Sequence, residues 1–147
     1  TYEDLADSAL ASITAGANQK HGETRLDLIE KNVKILKSIS PQITATSFEG
    51  ILMVVSNPVD ILTYEAQRIS GYPIHRVIGS GTVLDTARLK YLLSRLLNVD
   101  SRNVHAMIIG EHGDSELAVW SRTTISGIDL SDCFKVRGHE NYHAETE

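Results

Sequence analysis

An α/β fold with a mainly parallel sheet and flanking helices is predicted by three observations. Short β-favouring apolar runs alternate with stretches of helical periodicity, turns bearing glycine or proline separate them, and polar clusters recur directly after the strands. The chain enters on an acidic, helix-like stretch, Thr1 to Ser8, that leads into the apolar run Ala9 to Thr14, a first strand. That run ends in Ala15-Gly16-Ala17-Asn18, where a glycine lets backbone amides approach a ligand. Gln19 to Arg25 reads as a polar, glycine-containing loop. Leu26, Ile29, Val33, Leu36 and Ile39 then recur at helical spacing until Pro41, where a break or kink is expected. Ile51 to Val55 is a continuous apolar run of the kind buried on both faces of a parallel sheet, and Asn57-Pro58 turns the chain into a helix running through Ile69. After a turn at Gly71 and Pro73 come a short strand at Val77-Ile78, a third helix from Leu84 to Leu97, and a further strand, His105 to Ile109, ending at Gly110. Beyond Trp120 the pattern fades, and Gly138 to Glu147 is polar enough to read as a frayed tail.

The 147 residues suffice for a compact core but are few for an enzyme holding both a cofactor and a substrate. With 41% hydrophobic and 22% charged residues and a net charge of −5, the chain has no basic stripe for nucleic acid or an anionic membrane, which leaves small molecules as the expected partners. No signal-peptide pattern and no apolar run of about 18 residues is present. The one cysteine, Cys133, has no partner for an internal disulfide and no activating base nearby in sequence, so the expectation is an inert thiol and a reducing cytoplasm.

The chemistry concentrates in Gly110-Glu111-His112-Gly113-Asp114 read together with Asp85 and Arg88. Asp85 and Arg88 stand three apart on the third helix, so they share a face. A carboxylate beside His112 would hold the imidazole in one tautomer, as a base removing a hydroxyl proton requires. Arg88 can grip a planar carboxylate through two parallel hydrogen bonds. Arg25, at the end of the glycine-containing loop, could polarise a carbonyl from a lid whose closure excludes water. The trio points to oxidation of a hydroxy acid.

Ile13-Thr14-Ala15-Gly16-Ala17-Asn18-Gln19-Lys20, Gly22-Glu23-Thr24-Arg25-Leu26-Asp27-Leu28, Asn57-Pro58-Val59-Asp60-Ile61-Leu62-Thr63-Tyr64, Gly79-Ser80-Gly81-Thr82, Leu84-Asp85-Thr86-Ala87-Arg88 and His105 to Asp114 together resemble the NAD-dependent L-lactate dehydrogenases of the lactate/malate dehydrogenase superfamily. The likeness is ordered and runs to about Ser121, and becomes loose thereafter. It implies a Rossmann-like fold, truncated at both ends relative to the family, with 1–112 as the second half of the dinucleotide-binding domain and its active-site loop, and 113–147 as the start of the substrate domain. It implies interconversion of L-lactate and pyruvate with NAD, with His112 as proton acceptor and donor, Asp85 as its partner, Arg88 on the substrate carboxylate and Arg25 on the substrate oxygen. Asn57 would hydrogen-bond near that oxygen and the nicotinamide. Gln19 falls at the specificity position, where a neutral amide suits the methyl end of pyruvate and a malate-type enzyme carries arginine. Gly16, Ala17 and Asn18 would contact the dinucleotide, with Ser38, Val55, Ser56 and Ser80 at further cofactor-side positions. The family also implies a homotetramer. Lys90 and His105 fall where some bacterial members bind fructose 1,6-bisphosphate between subunits, although lysine replaces the usual arginine.

Departures accompany the likeness. The Gly-rich G-x-G-x-x-G turn and the ribose-binding acidic residue are absent from this sequence, so the resemblance implies an internal fragment, expected to be inactive alone. His21 and Ala118 stand where the family usually has proline, which should loosen the local backbone. Three rival readings remain. The first is another 2-hydroxy acid dehydrogenase of the superfamily, malate included. The second is a non-catalytic scaffold. The third is a zinc hydrolase built on His139-Glu140-Asn141-Tyr142-His143, whose H-E-x-x-H spacing places two histidines one helical turn apart, in a polar tail without an apolar helical face. No metal is expected.

Overall fold

The computed structural model describes residues 1–138, so the H-E-x-x-H segment and all of the expected frayed tail beyond Gly138 lie outside the described residues. Contacts divide the chain into two units, Thr1–Gly81 and Thr82–Glu147. Among the described residues no helix is long and apolar enough to cross a membrane.

In the first unit a 3₁₀ turn at Tyr2–Leu5 precedes β1 (Leu10–Ile13), α1 (Arg25–Thr44), β2 (Ile51–Val54), α2 (Val59–Ser70) and β3 (Val77–Gly79). The strands pair in parallel in the order β1-β2-β3, with Ile13 opposite Val54 and Val54 opposite Gly79. α1 begins with a reciprocal cap: the Thr24 hydroxyl accepts from the Asp27 amide at 3.2 Å, and the Asp27 carboxylate accepts from the Thr24 amide at 2.9 Å. α2 ends at Gly71, whose φ of 67° is the left-handed conformation glycine adopts without strain. The two helices pack on each other, and Leu36 and Ile43 of α1 meet Leu62 and Ala66 of α2 over the fully buried Leu52 and Val54.

Two expectations change here. Pro41 lies inside α1 and does not end it. It falls in the last turn, one residue after the buried Ser40 and two before the buried Ile43, so packing of that turn outweighs one lost backbone bond. β2 is buried on alternate residues rather than on both faces: α1 and α2 cover Leu52 and Val54, while Ile51 and Val55 are exposed.

The second unit comprises α3 (Val83–Leu97), β4 (Val104–His105), β5 (Ile108–Ile109), β6 (Leu117–Ala118), β7 (Thr124–Ile125), β8 (Ile128–Asp129) and α4 (Leu130–Arg137). Among the described residues its pairings are antiparallel: β4 with β7, β7 with β8, and β5 with β6. The single strand expected over His105 to Ile109 is therefore two, and they join different ladders. Ala106 between them is buried, and the Met107 carbonyl accepts from the Val119 amide at 2.9 Å. The segment beyond Trp120, where the sequence pattern fades, folds into the β7–β8 hairpin and α4. Its turn, Ser126-Gly127, has φ of 54° and 82°, the left-handed pair that suits a two-residue hairpin. Ile125, Leu130, Cys133 and the fully buried Phe134 close a core with Leu93, Leu97 and Val104.

The boundary between the units falls at Gly81/Thr82. The cause is α3, which packs on β4 and β5 and so carries Asp85 into the same unit as His112.

Candidate active site

In the second unit Asp85 stands in the first turn of α3 with only 9% of its side chain exposed. The loop that follows β5 turns back at Gly110, whose φ is 100°, and a β-carbon there would lie 3.2 Å from the Ser115 carbonyl, so only glycine suits the position. Two residues on, His112 brings Nδ1 to 2.6 Å from Asp85 Oδ2. An ionised carboxylate only accepts, so the proton of this contact belongs to Nδ1, and Nε2 becomes the nitrogen that can take a further proton. Arg88, one helical turn beyond Asp85, places Nη1 at 3.5 Å from the other carboxylate oxygen, with 65% of its side chain exposed. A buried carboxylate thus engages an imidazole with one oxygen and a guanidinium with the other. Glu116 also lies near, its carboxylate within 4.8 Å of ligand atoms on Asp85 and His112. The trio could hold a cation on distance alone. However, Asp85 Oδ2 is already engaged with His112 Nδ1 at 2.6 Å, and Arg88 adds positive charge beside Asp85, which disfavours a cation there.

In the first unit, Gly16, Ala17, Asn18, Gln19, Ser56 and Asn57 line a cleft of about 210 Å³ at the carboxyl ends of β1 and β2. Two side chains hold its walls. Ser56 is buried and donates to the Ala15 carbonyl at 2.7 Å. Asn32, from α1, is 2% exposed: its Oδ1 accepts from the Ala17 amide at 2.6 Å, and its Nδ2 donates to the Ala17 carbonyl at 3.3 Å and the Asn57 carbonyl at 2.8 Å. Asn32 escaped the sequence reading, yet it left a signal: an amide within the apolar stripe of Ile29, Val33 and Leu36 needs a polar partner once buried. Ser80 closes the strand ends, its amide donating to the Val54 carbonyl at 2.9 Å. Val55 is exposed at the end of β2, with its amide on the Ile13 carbonyl at 2.9 Å.

The loop from Gln19 to Thr24 is folded on itself. Gln19 Nε2 donates to the Glu23 carbonyl at 2.8 Å, and Glu23 accepts from the Lys20 amide at 3.0 Å and pairs with Lys31. The Lys31 ammonium, followed by the Lys20 amide, holds the Glu23 carboxyl below the usual carboxylate range. Arg25 emerges exposed at the first helical position of α1. Ser38 stands apart: it is exposed on α1, its hydroxyl donates to the Ile35 carbonyl at 2.7 Å, and it does not line the cleft. Lys90 lies on α3 and the exposed His105 on β4, elements that pack against each other.

Residues 1–79 match the family model described as lactate/malate dehydrogenase, NAD binding domain, and residues 82–145 match its alpha/beta C-terminal domain. The chain belongs to the lactate/malate dehydrogenase family. It is 61% identical over 129 residues to an L-lactate dehydrogenase of Priestia megaterium, covering 88% of this chain and 41% of that protein. An L-lactate dehydrogenase of Bacillus licheniformis is 54% identical over 145 residues, covering 99% and 45%. The ligand-bound crystal structure of a minor L-lactate dehydrogenase from Enterococcus mundtii superposes with a TM-score of 0.90 at 47% identity, covering 99% of this chain and 47% of that one. The chain spans less than half the length of these relatives.

Proposed function

We propose that this chain serves an NAD-dependent L-lactate dehydrogenase, interconverting L-lactate and pyruvate. The observation that carries the reading is the Asp85 carboxylate held between the His112 imidazole and the Arg88 guanidinium. Bound NAD would supply the hydride acceptor for oxidation at C2 of lactate and, when reduced, the donor for the reverse reaction. The cleft at the strand ends fits such a group, because ligands of open α/β sheets lie at the carboxyl ends of the strands, and here small residues and the Asn57 amide line that edge. Within the chain, His112 takes the hydroxyl proton on Nε2 as lactate is oxidised and returns it to the carbonyl oxygen in reduction. Asp85 keeps the ring in the required tautomer and balances the charge it gains. Arg88 holds the substrate carboxylate in a planar fork, Arg25 stabilises negative charge developing on the substrate oxygen, and Asn57 donates near the same oxygen. Gln19 is a neutral amide and offers no cation to a second carboxylate, which favours lactate over malate.

The same reading assigns Gly16, Ala17, Asn18, Val55, Ser56 and Ser80 to the cofactor side, and Lys90 with His105 to a sugar-bisphosphate site. It includes a homo-oligomer, supported by α3, where Leu84, Tyr91 and Leu92 are apolar and more than half exposed. A cytoplasmic location accords with the free, buried thiol of Cys133. The test is His112→Asn in the enzyme that contains this chain. NADH binding should persist, while pyruvate reduction should fall on the order of a thousandfold, the typical contribution of a positioned acid–base group. Near-normal turnover would refute the assignment.

A further inference from the structure

Ile108, in β5, lies four residues before His112, and both of its backbone polar groups are held by α3. Thr82 Oγ1 donates to the Ile108 carbonyl at 2.6 Å, and Thr86 Oγ1 accepts from the Ile108 amide at 2.9 Å while approaching the carbonyl at 3.4 Å. Neither hydroxyl takes a local role. Thr82 is the N-cap of α3, where a threonine ordinarily accepts from an amide of the first turn, yet its side chain makes no cap bond. Thr86 sits one residue after Asp85 within the first turns, where a hydroxyl ordinarily bonds back to a carbonyl of its own helix. Both bonds reach instead across 22 to 26 residues to the strand that feeds the histidine loop.

Asp85 lies between the two threonines in sequence, and His112 lies one short turn beyond their common target. Apolar packing between a helix and a strand tolerates sliding, whereas two bonds to the amide and carbonyl of one residue define register and direction. We propose that Thr82 and Thr86 are positioning residues: they set the height of β5 against the first turn of α3, and through it the 2.6 Å contact between Asp85 and His112. The catalytic consequence rests on the reading of His112 as the proton-transfer group, but the geometric proposal does not.

The experiment is an NMR measurement on the histidine-labelled chain, following the imidazole Nδ1–H resonance bonded to Asp85 and identified by its loss in His112→Asn. Thr82→Val and Thr86→Val, nearly isosteric but without the hydroxyl, should broaden or shift this resonance and speed its exchange with water at least tenfold. Thr82→Ser and Thr86→Ser should retain it, while the Phe134 ring signals report an intact core in every variant. If Thr86→Val does not fold, Thr82→Val decides, since it removes only the bond at the helix start. An unchanged resonance in a folded valine variant, serine variants as defective as valine ones, or no Asp85-bonded imidazole proton in the parent chain would overturn the proposal. Failure of the dehydrogenase reading is separable, since it appears as normal turnover in His112→Asn while the resonance still follows the threonines.

Discussion

Asn32→Leu removes a side chain of similar volume from the wall of the cofactor-side cleft and takes away every bond that ties Ala17 to Asn57. The side chain makes hydrogen bonds at 2.6, 3.3 and 2.8 Å, and it is 2% exposed, so water does not already share its polar atoms. Each such bond contributes about 1 kcal/mol net, and the three together about 3 kcal/mol. Asn57 is itself exposed and Ala17 half-buried, so their freed groups can find water, and the estimate stays at the net value rather than the larger penalty for sealed groups. Amide hydrogen exchange under native conditions gives the assay. The Val55 amide, bonded to the Ile13 carbonyl at 2.9 Å, should exchange roughly a hundredfold faster if opening of the first unit becomes easier by that amount. The Ala17 amide should lose its protection altogether. Asn32→Asp should cost at least as much, because it keeps an acceptor for the Ala17 amide but turns its other oxygen on two carbonyls. An acceleration below about fivefold at Val55, equivalent to roughly 1 kcal/mol, would show that the amide is a passenger and not a staple.

Gln19→Arg should move the preference of the enzyme from pyruvate toward oxaloacetate by supplying a cation for the second carboxylate; unchanged ratios of kcat/KM for the two substrates would refute the specificity role. Gly50→Ala should destabilise the first unit by about 3 kcal/mol or more, because a β-carbon there would sit 2.5 Å from the Ala9 carbonyl oxygen and 2.6 Å from that of Ser8; a thermal melt matching the parent would contradict this. The Asp100 carboxyl is pulled from 3.8 to about 2, first by the Arg102 side-chain hydrogen bond and then by the Arg102 amide. Its folded value lies below its unfolded one, so the stabilisation is complete above about pH 4 and is lost as pH falls toward 2. A carboxyl-carbon NMR titration should return a midpoint near 2 in the parent and a higher one in Arg102→Ala, still short of 3.8 because the amide of residue 102 keeps its bond to the carboxylate; a parent midpoint near 3.8 would refute the contact.

The alternation of strand and helix through Leu97, the helix stop at Gly71, and the choice of His112, Asp85 and Arg88 as a candidate chemical set were legible in the sequence alone. Each rests on local information: hydrophobic period, backbone freedom at a glycine, and residue types whose chemistry is complete only together. Tertiary structure alone decided the rest. Pro41 stays helical because Ser40 and Ile43, in the same turn, are buried, and the run His105 to Ile109 divides because its halves pair with strands that arrive later in the chain. The β7–β8 hairpin was readable in principle from Ser126-Gly127, but its two-residue strands carry too little pattern to stand out, and α4 draws its stability from Phe134 entering a core built by α3 and β4. Likewise the three bonds of Asn32 and the two threonines that reach Ile108 join positions 15 to 26 residues apart, a proximity that no local periodicity encodes. Sequence determined which groups could do the chemistry; non-local packing decided which of them meet, since a contact of 2.6 Å depends on the placement of whole elements and not on the residues that make it.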